Sequence, residues 1–201
     1  METAIVLTPD SFEELKTKVT EIRKNLEGME YKIIATIPLL THDEKYIACE
    51  HLDILALEIG DMDKVNAHCI ARYCTDKDTK YLLFLDMDKT ITKKELERRI
   101  KFLEVEQLIG VVGDKAEIED EFVQKTITHK LLALLTLNKE EFEIRCCDEE
   151  GKIKCVESGT LLTTVKMWDK VGGFPVVSIN PYVEYCTRVQ ALGYTIFPLT
   201  S

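Results

Sequence analysis

The stretch Tyr81-Leu-Leu-Phe-Leu-Asp-Met-Asp88 indicates the fold more strongly than any other part of the chain. Five apolar residues lead without interruption into two carboxylates that are two positions apart. A short, continuous apolar run is typical of a strand that is buried on both faces, as in a parallel sheet. Ligands of open parallel sheets bind outside the carboxyl ends of the strands. We therefore expect Asp86 and Asp88 to lie at a ligand-binding edge.

Asp86 and Asp88 have the chemistry of a site for a metal ion and a phosphate group. Side chains two residues apart on an extended chain can point the same way. Their hard oxygen atoms suit Mg²⁺ or Mn²⁺ bridging to a diphosphate. An Asp-x-Asp pair can also cap the next helix or lie solvated at a turn. The position directly after a buried strand favours the metal site.

The segments before this strand alternate between strand and helix patterns. Short β-branched and apolar runs predict strands over residues 4–8, 31–37, 52–57 and 81–85. Capping residues and apolar steps of three and four predict helices after Ser11, after Asp63 and over 93–103. This alternation predicts an α/β fold with a mostly parallel, Rossmann-like sheet and helices on both faces.

The second half of the sequence is less regular and predicts a mixed α+β arrangement. Its predicted elements are a strand over 108–112, a helix over 122–137, a hairpin with arms 142–147 and 152–157, and a strand or helix lead-in over 160–164. The last helix should begin at Asn180-Pro181, an N-cap followed by proline at the first helical position, and end near Gly193.

The composition limits the class of protein. The 201 residues are 45% apolar and 31% charged, which suits one domain with two lobes. The net charge of −10 argues against nucleic acid or an anionic membrane as the main partner. No stretch approaches the roughly 18–20 apolar residues of a membrane span, and the first residues lack the basic region of a secretion signal. A cytoplasmic protein without an integral membrane segment is expected.

Of the seven cysteines, three form the only cluster in the sequence: Cys146, Cys147 and Cys155. A zinc site there would need a fourth ligand, and the sequence offers none nearby. A disulfide within the cluster is left open.

Two families place an Asp-x-Asp pair directly after a strand. The segment Leu85–Thr90 resembles the D-x-D-x-T motif of haloacid-dehalogenase-type phosphatases, and Asp114 with Asp120 resembles their late acidic motif. In that family the nucleophile strand normally opens the domain, whereas three strand-like segments precede Asp86 here. Only 28 residues separate Asp86 from Asp114, too few for the intervening strands and the phosphate-binding lysine. The phosphatase remains the alternative enzyme.

Most of the chain is similar to the glycosyltransferases of the GT-A fold. Val6–Pro9 resembles their opening strand, and Asn66–Asp88 resembles their helix, turn and Asp-x-Asp strand. Gly159–Phe174, with its Val-Gly-Gly-Phe ending, and Arg188–Tyr194 resemble two later blocks. Within this family, the sequence resembles a small glycosyltransferase of a crenarchaeal virus. The resemblance implies a GT-A-like fold and a transferase that moves a sugar from a UDP- or GDP-sugar with Mn²⁺ or Mg²⁺.

The resemblance also implies where a nucleotide sugar would bind. Thr8 and Pro9, together with the edge from Thr36 to Pro38, would contact the nucleoside, and Arg72 would help hold the donor. The donor half would comprise about residues 1–105 and the acceptor half about 106–201.

In the same resemblance, Asp86 would lie near the ribose or sugar and share the metal site with Asp88, which would hold the ion more directly. The resemblance does not identify the acceptor, which is a glycan or a protein. It also leaves open whether the protein forms a homodimer.

The sequence departs from the family at the catalytic base. Inverting members carry an acidic pair at the start of the last helix, and alignment from Arg188 and Gly193 puts Pro181 and Tyr182 there. Glu184, two residues further on, is the candidate base. Asp148 and Asp169 are further candidates. If none of these residues acts as the base, the alternatives are a retaining mechanism or a non-catalytic binding scaffold.

Overall fold

The computed structural model describes residues 2–106, 108–116, 118, 120–134 and 138–199. Its strands are β1 (Thr3–Leu7), β2 (Tyr31–Ile37), β3 (Leu55–Glu58), β4 (Tyr81–Leu85), β5 (Ile109–Ala116), β6 (Cys155–Val156), β7 (Thr160–Thr164) and β8 (Thr195–Leu199). Its α-helices are α1 (Phe12–Asn25), α2 (His42–Tyr46), α3 (Lys64–Tyr73), α4 (Lys93–Val105), α5 (Glu121–Leu134), α6 (Lys139–Cys146), α7 (Val165–Val171) and α8 (Pro181–Ala191). A π-helical turn, Ile47–His51, follows α2.

These strands form one sheet in the order β3-β2-β1-β4-β7-β5-β6, with β8 beside β5. The first four strands are mutually parallel, and β7 is antiparallel to both β4 and β5. All five residues of β1 and of β4 are buried, as their continuous apolar runs predict. Alternate residues of these strands enter two cores, one on each face of the sheet. The predicted α/β fold with a mostly parallel sheet is confirmed.

Local capping explains why α1, α3 and α4 begin where the sequence predicts, whereas α2, which a capping box of Thr41 and Glu44 also begins, is not among the predicted helices. The Asp63 carboxylate accepts hydrogen bonds from the N–H groups of Val65 and Asn66, both at 3.0 Å, and so begins α3. Thr92 and Glu95 form a reciprocal capping box at the start of α4. These bonds satisfy N–H groups that have no partner inside the helix. No helix among the described residues is long and apolar enough to cross a bilayer.

The predicted hairpin in the second half is wrong. Residues 142–146 belong to α6, which begins with a capping box between Asn138 and Glu141. Phe142 and Cys146 are both buried and are four residues apart, so they lie on one helix face. Only the bridge between Cys147 and Ile153 remains of the expected pairing. None of the seven cysteines forms a disulfide bond.

Other element boundaries differ from the predictions by a few residues. The third strand is Leu55–Glu58 and not 52–57, because Asp53 adopts a left-handed backbone (φ +42°) that interrupts the chain before it. Strand β5 extends to Ala116. Helix α5 begins at Glu121, and residues 135–137 of the predicted helix lie outside the described residues.

One edge of the sheet collects the parts that could form a site. The first four strands end there because they are parallel, and β7 begins there because Thr160 pairs with Leu85. The first residues of α3 and α8 reach the same edge. The sheet therefore brings together segments that are far apart in sequence.

Candidate functional site

Asp86 is held rigidly at the end of β4. Its backbone N–H donates to the Gly159 carbonyl at 2.9 Å, and its carboxylate forms an ion pair with the Lys64 ammonium group. A Cβ atom on Gly159 would lie 2.5 Å from Asp86 Oδ2, so only glycine leaves room for this carboxylate. Asp86 and Gly159 therefore form one packed unit, although 73 positions separate them.

Asp88 lies in the turn that follows, which the hydrogen bond from the Lys89 N–H to the Asp86 carbonyl (3.1 Å) closes. Its side chain is exposed, in contrast to the paired carboxylate of Asp86. Both aspartates thus lie directly after β4, and Asp88 is the freer of the two.

Lys64 is a site residue that the sequence reasoning missed. It is the first residue of α3, directly after the capping Asp63, and its ammonium group reaches Asp86 from the neighbouring segment. The sequence did contain a signal for Lys64. The loop after a parallel strand starts at the carboxyl end of that strand, which is the same edge of the sheet as Asp86. A lysine at the start of the helix after that loop can reach the carboxylates.

The residues predicted to contact a nucleoside follow β1 and β2. Thr8 is half-buried and Pro9 is buried at the end of β1, while Pro38 is half-buried after β2. Thr36 lies within β2, is 1% exposed, and its hydroxyl donates to the Leu7 carbonyl at 3.3 Å. Thr36 therefore shapes this edge from inside the sheet, and its hydroxyl is not open to a ligand.

The structure does not bring Arg72 to this edge. Arg72 is eight residues beyond Lys64 on α3, a rise of about 12 Å. Its guanidinium group donates to the Asp169 carboxylate on α7 at 2.7 Å. Helix α7 begins directly after Thr164, and Thr164 pairs with Tyr81, the first residue of β4. Arg72 and Asp169 thus lie toward the amino end of β4 and not beside Asp86, where the sequence analysis expects Arg72 to help hold a donor.

Glu184 lies in α8 with a fully buried side chain. Lys130 and Arg188 donate to its two carboxylate oxygens at 2.7 and 2.6 Å. Burial by itself raises the pKa of Glu184, but the hydrogen bonds from Lys130, Ser178 and Arg188 outweigh it and lower the pKa below 4.5. Two cations therefore enclose this carboxylate inside the fold, an arrangement that favours a structural role for Glu184.

Neither of the other candidate bases lies beside Asp86. Asp148 closes the turn before Ile153 by accepting the N–H groups of Glu150 and Lys152 at 3.0 and 2.9 Å. Tyr182, in contrast, does lie near Asp86. Its hydroxyl oxygen is buried without a protein hydrogen-bond partner among the described residues. Burial, followed by the charges of Asp86 and Asp63, raises the pKa of Tyr182, so its phenol stays neutral.

A cavity of about 480 Å³ opens beside Asp86, on the side away from β1 and β2. It is formed by the end of β5, the segment between β6 and β7, and the starts of α5 and α8. Its lining residues include Asp86, Lys89, Asp120, Glu157, Ser158, Asn180 and Tyr182. Asp86 therefore lies between this cavity and the ends of β1 and β2.

The architecture and the position of this edge define the fold class as GT-A-like α/β. No protein-family model and no curated protein matches the sequence. Solved structures do match. The mannosyltransferase PcManGT of Pyrobaculum calidifontis, in complex with GDP-Man and Mn²⁺, is 12% identical with a TM-score of 0.67, over 100% of this chain and 55% of that chain.

Two further solved structures have the same fold. TarS 1–349 of S. aureus is 12% identical with a TM-score of 0.57, over 100% of this chain and 58% of that chain. Glucosyl-3-phosphoglycerate synthase of Mycobacterium tuberculosis, with Mn²⁺, UDP and glucosyl-3-phosphoglycerate, is 14% identical with a TM-score of 0.57, over 98% of this chain and 70% of that chain. The chain thus spans little more than half of the first two, and identities this low show the fold alone.

Proposed function

We propose that this protein is a glycosyltransferase that uses a divalent metal ion to move a sugar from a UDP- or GDP-sugar to an acceptor. One observation carries the proposal: the aspartate pair lies at the carboxyl end of the central strand β4 in a GT-A-like sheet. This is the edge at which parallel sheets bind their ligands. Two proteins with this fold have solved structures with Mn²⁺ and either GDP-Man or UDP, and these ligands support the same choice.

The residues present fit a metal ion that arrives with its substrate. Asp86 and Asp88 supply hard oxygen ligands, and the described residues contain no group of three or more acidic, histidine or cysteine side chains arranged around one point. Mg²⁺ commonly takes one or two carboxylates and completes its shell with phosphate oxygens and water, and Mn²⁺ favours the same oxygen ligands. When bound, such an ion acts as a Lewis acid that neutralises charge on the diphosphate.

The chain's own residues divide the work. Thr8, Pro9 and Pro38 provide the surface for the nucleoside at the ends of β1 and β2. Lys64 fixes the Asp86 carboxylate and leaves Asp88 as the main metal ligand. The donor then lies on residues 1–105, and the acceptor lies on 106–201 around the cavity. The resemblance to inverting transferases does not identify a catalytic base in this chain. Tyr182 stands where those transferases carry an acidic residue, and Lys130 and Arg188 enclose Glu184.

The proposal is tested by nucleotide binding with and without metal. Wild-type protein should bind UDP or GDP in calorimetry with Mn²⁺ or Mg²⁺, and Asp88→Asn should weaken this binding at least about tenfold, because it removes a charged ligand. Asp78→Asn is the matched control: Asp78 is exposed in the turn before β4, at the opposite edge. It should bind like the wild type.

Two outcomes contradict the proposal. Hydrolysis of a simple phosphate ester that is lost in Asp86→Ala, without nucleotide binding, supports the phosphatase. Absence of both nucleotide binding and ester hydrolysis supports a non-catalytic scaffold.

A further inference from the structure

Lys18 on α1 is a lysine whose side chain is buried inside the fold. Only 3% of that side chain is exposed, and it lies on the helix face of Leu15, Val19 and Ile22, which pack into a core. Its ammonium group pairs with Glu21 at 3.2 Å, and Glu21 is 34% exposed. Lysine is rarely buried because its charge is costly to remove from water. An ion pair between residues three positions apart forms equally well on the outer face of a helix, so Glu21 does not explain the burial.

The other partner of Lys18 lies in the turn that carries Asp88. The Lys18 ammonium group donates a hydrogen bond to the main-chain carbonyl of Lys89, 71 positions further along the chain. Hydrogen bonds from a charged donor are stronger than those between neutral groups. A buried charge on α1 is thus used to hold the residue directly after Asp88.

Lys89 is held at three points. Its N–H donates to the Asp86 carbonyl at 3.1 Å, and its carbonyl accepts from Lys18. Its own ammonium group pairs with Glu157 at 2.6 Å, on the other side of the turn. The turn is therefore fixed from α1 and from the segment before β7 at the same time.

Asp88 itself is exposed, but the backbone on both sides of it is fixed. Met87, one residue before, is partly buried against the core that α1 lines. Lys89, one residue after, is held by Lys18. Contacts of this kind set the direction of a metal ligand before an ion binds, and the affinity of the site depends on them.

We propose that Lys18 is a positioning residue for the metal ligand Asp88. Through the Lys89 carbonyl, it holds the turn so that the Asp88 carboxylate points toward the divalent ion. The inference rests on the proposed transferase function and adds a residue that touches neither the ion nor the sugar donor. Without the bond from Lys18, the turn has to be ordered when the ion binds, and this ordering weakens binding.

The test measures nucleotide binding by calorimetry with Mn²⁺ and with EDTA, in the wild type and in Lys18→Met. Methionine keeps an unbranched apolar side chain and removes the donor. With Mn²⁺, the affinity of Lys18→Met for UDP or GDP should fall about tenfold, the lower end of the loss when a group that orients a metal ligand is removed. With EDTA, its affinity should match that of the wild type. Electron paramagnetic resonance of free Mn²⁺ measures the bound metal directly and should show the same loss.

Two further variants separate positioning from a general loss of stability. Glu21→Gln removes the ion pair of the same lysine and leaves its bond to Lys89, so Mn²⁺-dependent binding should equal that of the wild type. Lys18→Arg keeps a cationic donor and should recover most of the affinity that Lys18→Met loses. Circular dichroism checks that each variant is folded. If Lys18→Met does not fold, Lys18→Gln replaces it with the same expectation, because its amide is neutral and reaches less far.

Wild-type affinity for Mn²⁺ and nucleotide in the folded variant that lacks the lysine overturns the positioning role. An equal loss with Mn²⁺ and with EDTA, or an equal loss in Glu21→Gln, overturns it as well. In each of these cases, Mn²⁺-dependent binding by the wild type leaves the transferase proposal standing. If the wild type binds no nucleotide with Mn²⁺, the transferase proposal itself is wrong, and the role of Lys18 falls with it.

Discussion

The fully buried carboxylate of Glu184 gives the sharpest test of what holds α8 in place. Glu184→Gln keeps the shape of the side chain and removes its charge, which leaves Lys130 and Arg188 without their anion. Breaking a fully buried ion pair costs about 3–5 kcal/mol. Lys130 and Arg188 are 36% and 27% exposed, so water offsets part of this cost, and we expect a loss of about 2–3 kcal/mol.

For a chain of this size, such a loss lowers the melting temperature by roughly 4–12 °C. Urea denaturation followed by circular dichroism measures the free energy of unfolding. The control is Glu143→Gln, whose ion pair with Lys139 is 3.6 Å long and exposed, and which should change stability by less than about 0.5 kcal/mol. Transfer per folded molecule should persist in Glu184→Gln. A stable variant that has lost transfer would refute the structural role and restore Glu184 as the base.

Three further predictions concern the site and its core. Gly159→Ala should weaken binding of metal and nucleotide, because its Cβ would lie 2.5 Å from Asp86 Oδ2 and displace that carboxylate; unchanged affinity in calorimetry would contradict this packing. Tyr182→Phe removes a buried hydroxyl that has no hydrogen-bond partner within the described part of the chain, so melting temperature and transfer should be equal to or above wild type, and lost transfer would show that the phenol takes part. Burial, with the nearby charge of Lys64, lowers the pKa of His68 from 6.5 to about 3. The unfolded chain therefore binds a proton near pH 6.5 that the folded state excludes, and stability falls as the pH drops from 6.5 toward 3. By pH 5 the loss should be about 2 kcal/mol in wild type and absent in His68→Phe; equal pH slopes in urea denaturation would contradict it.

Local patterns in the sequence predicted most of the first half. The apolar run of β4 requires burial on both faces, and its burial is complete in the structure. Asp63 and Thr92 begin their helices because their side chains bond to N–H groups two or three residues away. Such interactions involve neighbours in the chain, so they can be identified without knowing the tertiary structure.

The same local reasoning failed where two patterns compete. Residues 142–147 form a short segment that mixes apolar and charged side chains, and the glycine turn that follows this segment favours a strand. The capping box at Asn138 and the contacts of Phe142 and Cys146 in the core favour a helix there. Periodicity over so few residues does not separate the two structures.

The sequence by itself determined the strand that leads into Asp86 and Asp88, the parallel sheet around it, and the edge of that sheet at which we propose that a ligand binds. Only the tertiary structure decided which other side chains meet there. It brought Lys64 and Gly159 to Asp86, carried Arg72 to the other end of α3, and enclosed Glu184 between two cations. The physical reason is that strand and helix formation depends on neighbouring residues, whereas a site depends on contacts between segments that the sheet order places side by side.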